Sequence, residues 1–124
     1  MRWPNWNSTF PFGSHLAVVE VDRETGLVRL VRHVACDDAG TIINPIGALG
    51  QVEGAVMMGI GQALTEGTRY DDDGNQRNAG LLEYKLQTCA DVPVVEVDFI
   101  QIPTANAGPR GAKGLAEAPN VATA

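Results

Sequence analysis

Residues 46 to 65 set the tightest constraint on what this chain can fold into. Leu49, Val52, Val56, Ile60 and Leu64 recur there at three- and four-residue steps, the period of a helix with one apolar face. Gly47, Gly50, Gly54, Gly59 and Gly61 interrupt the same stretch. A glycine costs about 1 kcal/mol relative to alanine in a helix interior. Five of them imply a helix held by close packing against another backbone or a ligand, not by propensity. Asn44-Pro45 opens the helix, because proline is tolerated in a first helical turn.

Strand patterns flank this helix. His15 to Asp22 is apolar and β-branched with partial alternation, which predicts a strand. Arg23-Glu24-Thr25-Gly26 supplies a turn, with Gly26 suited to positive φ, and Leu27 to Ala35 resumes the strand pattern. The two make a hairpin, and Cys36-Asp37-Asp38-Ala39-Gly40 closes its second strand. Asp71-Asp72-Asp73-Gly74-Asn75 reads as a solvated turn between two short strands, with Asp-Gly as the hairpin signal. It lacks the distal glutamate of a calcium loop. Val92 to Ile102 predicts a further strand.

Residues 103–117 form a long loop containing Asn106, Gly108, Gly111 and Gly114, and loops of this length are commonly functional. Ala118 to Val121 begins a helix. Residues 1–13 are an extended lead-in whose Trp3 and Trp6 pack against a surface outside this chain. The expected fold class is α+β over residues 1–124 as a single domain: two hairpin-like strand pairs, one long glycine-interrupted helix and a final loop.

The bulk properties exclude several functions. A formal charge of −6 repels phosphate backbones, so no nucleic-acid binding is expected. No basic cluster holds a membrane surface, and no apolar run reaches the roughly 20 residues of a membrane helix. The N-terminus lacks the apolar core of a signal peptide, so the expected location is cytoplasmic. Cys36 and Cys89 form no Cys-x-x-Cys pair, which argues against zinc or iron–sulfur ligation by this chain. Both read as buried free thiols. His15 and His33 read as strand-face histidines with no carboxylate or metal partner near in sequence, and Met57 and Met58 as packing residues.

Two glycine-flanked polar sites are candidates for chemistry. Gly111-Ala112-Lys113-Gly114-Leu115-Ala116-Glu117-Ala118-Pro119 places a carboxylate directly after a loop nearly free of side chains. Such a loop lets backbone approach a bulky ligand. Glu117 is then either a general base or a carboxylate favoured by the dipole of the helix it starts. Gly50-Gln51-Val52-Glu53-Gly54 is the second site.

These pieces, in this order, resemble the molybdenum hydroxylase large (molybdopterin-binding) subunits of the xanthine dehydrogenase, aldehyde oxidase and carbon monoxide dehydrogenase family. The resemblance covers residues 10–121. It is carried by Phe10-Pro11-Phe12-Gly13-Ser14-His15, Val19 to Gly26, Asp37-Asp38-Ala39-Gly40, Ile43-Asn44-Pro45, Gly50 to Gly54, Gly59-Ile60-Gly61 and Lys113 to Glu117. It implies that Glu117 is the catalytic glutamate beside the molybdenum. Gln51 would hydrogen-bond the pterin cofactor, and Lys113 and Gly114 would lie on the loop that passes it. Two positions depart from the family pattern: Ala116 stands where glycine is usual, and Met58 where glutamine often precedes Gly-x-Gly.

The implied chemistry is hydroxylation of an aldehyde or an N-heterocycle, with water as oxygen source; carbon monoxide oxidation is another reaction of the family. The carboxylate takes the proton of a metal-bound hydroxyl, whose oxygen attacks an electrophilic carbon, and hydride passes to a sulfido ligand. The implied cofactor is molybdopterin with molybdenum, in its cytosine dinucleotide form, and no side chain of this chain ligates the metal. Iron–sulfur clusters and FAD would sit on partner subunits, and the remainder of the molybdenum subunit is itself a required partner, so the isolated polypeptide is expected to be inactive. The competing expectation, favoured by Ala116 and Met58, is a non-catalytic α+β folding or interaction module that no longer binds cofactor.

Overall fold

A computed structural model of the chain describes residues 10–103 and 110–115. Strands β1 (Gly13–Val21) and β2 (Val28–Asp38) are followed by helix α1 (Pro45–Leu64) and strand β3 (Val95–Ile100). The sheet order is β1-β2-β3, with β1 antiparallel and β3 parallel to β2. The architecture is α+β, one helix against a three-stranded sheet.

The β1–β2 turn is built by Asp22 and Gly26. The Asp22 carboxylate accepts the Glu24 and Thr25 amides at 2.8 and 3.3 Å, and these bonds hold its carboxyl below the usual range. Gly26 takes φ +73° and donates to the Asp22 carbonyl at 2.8 Å. Between β2 and β3, the exposed Arg32 guanidinium forks onto the two oxygens of Glu96 at 2.6 Å each.

Two expectations about strands need correction. The acidic turn is flanked by one isolated bridge, Tyr70 to Gln76, and not by two strands. The Asp71 carboxylate takes the Asp73 and Asn75 amides at 3.1 and 2.8 Å, so the turn is closed locally and has no need of a ladder. β3 therefore has no hairpin partner and joins β2 in parallel, after the helical crossover that parallel pairing requires. β2 also runs three residues further than its apolar pattern, through Asp38. The continuation is stabilised by tertiary bonds to both carboxylates, which strand propensity does not register.

α1 starts as expected. Asn44 caps it by accepting the Gly47 amide at 3.1 Å, a standard capping role. Its buried stripe is Val52, Ala55, Val56, Gly59, Ile60 and Gly61. Val52, Val56 and Ile60 meet Ala35, with Val95, Val97, Phe99 and Leu115 packed around them. Leu49 and Leu64, in register with this stripe, remain 39% and 44% exposed, because a three-stranded sheet spans only the middle of a twenty-residue helix. Met58 is half-exposed, and Cys89 is exposed rather than buried. No helix among the described residues is long and apolar enough to cross a membrane.

If the stripe is divided this way, Ile60→Ala lowers the unfolding free energy by about 2–5 kcal/mol. Leu64→Ala costs under about 1 kcal/mol, since its side chain is already half in water. Denaturant titrations of the two variants check this.

Candidate functional site

Two adjacent carboxylates, Asp37 and Asp38, are buried at the C-terminal end of β2. Asp38 is 1% exposed, and a buried carboxylate persists only if its oxygens are paired. Oδ1 accepts the Gly40 amide at 2.9 Å and the Ile102 amide at 3.2 Å. Oδ2 accepts the Lys113 ammonium, whose side chain is 5% exposed and lies 5.4 Å from the centre of the Phe12 ring. Burial by itself pushes the Asp38 carboxyl up. The hydrogen bonds from Lys113, Gly40 and Ile102, with the Lys113 charge, outweigh it and hold the group below 3.8.

Main-chain bonds surround this pair. Asp38 donates its amide to the Phe12 carbonyl at 2.8 Å, Thr41 to Gly111 at 3.0 Å, and Lys113 to Ala39 at 2.9 Å. Gly40 and Ala112 form an antiparallel bridge. The fit requires glycine: Gly40 has φ +61°, and a β-carbon there would lie 2.2 Å from the Gly111 carbonyl oxygen. Residues 110–115 are thereby docked on the strand end.

A second buried group lies beside it. His15 Nε2 is 3.1 Å from Asp37 Oδ1 and its Nδ1 is 3.2 Å from His33 Nε2. The line is satisfied when His15 donates to Asp37 and His33 donates to His15, a tautomer assignment made from the hydrogen-bond pattern. Burial, and then the nearby His15, push His33 below its ordinary value of 6.5. Its Nδ1, and Oδ2 of Asp37, have no partner among the described residues. A β-carbon on Gly13 would fall 1.8 Å from Asp37 Oδ1, so Gly13 is what gives this carboxylate room. The sequence shows no carboxylate near either histidine, and the fold supplies one to His15 from the neighbouring strand, where cross-strand register brings Gly13 opposite Asp37 and His15 opposite Ala35; His33 is linked to it only through His15.

The predicted site residues fall in separate places. Glu117, Ala116 and the expected final helix lie outside the described residues, as do Trp3 and Trp6. Lys113 and Gly114 are on the docked loop. The Lys113 side chain turns inward to Asp38, and Gly114 is exposed with open space about its α-carbon. Gln51 is on the exposed side of α1. A β-carbon added to Gly50 or Gly54 beside it would meet no atom of the described residues within 4 Å. Among the described residues, Gly61 lies against the Glu66 side chain and Gly47 against that of Asn44, while Gly50 and Gly54 are open, so at these four glycines the expected packing against another backbone is not met within this chain. No hydrogen bond among the described residues links Gln51 to the loop.

Sequence reasoning missed Asp37, Asp38, His15 and His33. One signal was available: two consecutive aspartates ending an apolar strand point to opposite faces, so at least one had to be accounted for indoors.

The family model for the molybdopterin cofactor-binding domain matches residues 3–93. The carbon monoxide dehydrogenase large chain of Hydrogenophaga pseudoflava is 40% identical over 115 residues, covering 93% of this chain and 14% of that protein. The nicotine 6-hydroxylase large subunit of Paenarthrobacter nicotinovorans is 35% identical over 115 residues, with the same shares. The solved structure of reconstituted CO dehydrogenase from Oligotropha carboxidovorans superposes with a TM-score of 0.86 at 36% identity, over 93% of this chain and 14% of that one. The fold and the match define a molybdopterin-binding module. The chain belongs to the molybdenum hydroxylase large-subunit family, and spans about 14% of the length of these relatives.

Both buried groups make the fold acid-sensitive. The folded state holds His33 below 6.5, so the unfolded chain binds the proton first and stability falls as pH drops from about 6.5 to the folded value. Asp38 is held below 3.8, and its contribution is lost in a second step as pH falls from 3.8 through its folded value. Thermal melts across pH 7.5 to 2.5 show both steps in the parent chain, and His33→Gln removes the upper one only.

Proposed function

We propose that this chain is the part of a molybdenum hydroxylase large subunit that supplies the catalytic base, Glu117, and one wall of the cofactor site. The open face around Gln51 supports this most directly: an exposed amide between two glycines with no described residue about them is a place where a bulky ligand can lie against a helix. The exposed Gly114 on the docked loop offers the same close approach to main chain. The residues present therefore fit a molybdopterin group.

When bound, the molybdenum centre supplies Lewis acidity and accepts the electrons of the oxidation. The chain's own residues do the rest of what is assigned here. Gln51 donates and accepts hydrogen bonds at the pterin through its side-chain amide. Lys113 and Gly114 carry the loop past it; the Lys113 amide is donated to Ala39, so the close approach is offered by the exposed main chain at Gly114. Glu117 accepts the proton of the water-derived nucleophile at a carboxylate oxygen.

The substrate is an aldehyde or an N-heterocycle, and the cofactor is the cytosine dinucleotide form. The remainder of the molybdenum subunit and separate iron–sulfur and flavin subunits complete a cytoplasmic enzyme. Met58 and Ala116 favour a second reading, a module that keeps the fold without the cofactor.

Protein purified with its partner subunits is expected to contain molybdenum by elemental analysis. Glu117→Gln lowers turnover by about 10²–10⁴-fold with the metal retained, and the isolated chain oxidises neither aldehyde nor purine. Absence of molybdenum under every co-expression supports the module instead, and full activity of Glu117→Gln removes the base assignment.

A further inference from the structure

Resting on the assignment of Glu117 as base, we propose that Lys113 is a positioning residue that acts through Asp38: the buried pair clamps residues 110–115 to the end of β2 and fixes the backbone from which Glu117 follows. The ammonium is turned into the protein and its side chain is 5% exposed, so it does not face outward from the loop toward a ligand. Its partner is itself immobilised. Asp38 takes the Gly40 and Ile102 amides on its other oxygen, so a single carboxylate ties the segments after β2 and after β3 to the loop. The loop's own main chain then closes on Ala39 and Thr41 at 2.9 and 3.0 Å.

The burial of both charges gives this clamp its force. An ammonium and a carboxylate withdrawn from water are badly destabilised when separated, which favours the docked position of the loop. Lys113 precedes Glu117 by four residues. Loss of the clamp leaves the intervening backbone free to shift. A displacement of about 1 Å at a reacting group costs on the order of 10²-fold in rate.

The test uses the complete molybdenum subunit assembled with its partners, in three variants: Asp38→Asn, Lys113→Met and the double. The double removes both buried charges together and avoids an uncompensated one. Each single variant is expected to lose about 10²-fold in kcat, with KM for the substrate and molybdenum and pterin content close to the parent's. Exchange of the backbone amides at positions 41 and 113 accelerates in parallel. The double loses no more than either single, because the two residues act as one unit. Lys113→Arg, which keeps the charge, recovers part of the rate.

The proposal is overturned if Lys113→Met strips pterin and molybdenum while Asp38→Asn leaves content and kcat intact, which would put Lys113 on the cofactor. Losses that multiply in the double, or exchange at Thr41 that is unchanged in both singles, overturn it as well. Failure of the Glu117 assignment is separable. It would appear as an active Glu117→Gln enzyme, while the exchange readout of the clamp stands independent of catalysis.

Discussion

A carboxylate removed from water at the end of β2 organises the molecule. Asp38 has four lone-pair directions to satisfy in a site it shares with no solvent, and a lone buried charge is costly enough that a fold supplies partners or does not form. Three chain segments provide them: Gly40 immediately after the strand, Ile102 after β3 and Lys113 from the last loop. The backbone has to curl tightly to bring these together, which is why Gly40 and Gly111 adopt positive φ. The parallel placement of β3 belongs to the same arrangement, since it delivers Ile102 to the same end of the sheet as Asp38.

The line from Asp37 through His15 to His33 reinforces the hairpin from its buried side. It differs from the Asp38 pair in being incomplete: one ring nitrogen and one carboxylate oxygen have no partner among the described residues. Together the two groups bury Asp37, Asp38 and His33 on β2. The apolar core is small by comparison, with Val52, Val56, Ile60 and Ala35 at its centre. Much apolar surface stays outside it, including Leu16 on β1 and Ile46 at the start of α1, which are 60% and 85% exposed. These faces belong to a module that spans 14% of its relatives' length.

The sequence by itself determined the elements whose causes are local. Period and capping fixed α1, down to Asn44 and Pro45. Alternation fixed the β1–β2 hairpin, and Gly26 its turn. The glycines flanking Gln51 and Lys113 marked stretches of uncovered main chain, because a residue without a β-carbon leaves the backbone open. Tertiary structure alone decided what depends on residues far apart in sequence. The partner of Lys113 is 75 positions away and that of His15 is 22, and neither separation has a period or a spacing to betray it. Parallel pairing of β3 was hidden for the same reason: a strand's pattern records which face is buried, not which neighbour it meets or in what direction. Electrostatic pairing in the interior is a property of distance in space, and only the folded chain sets that distance.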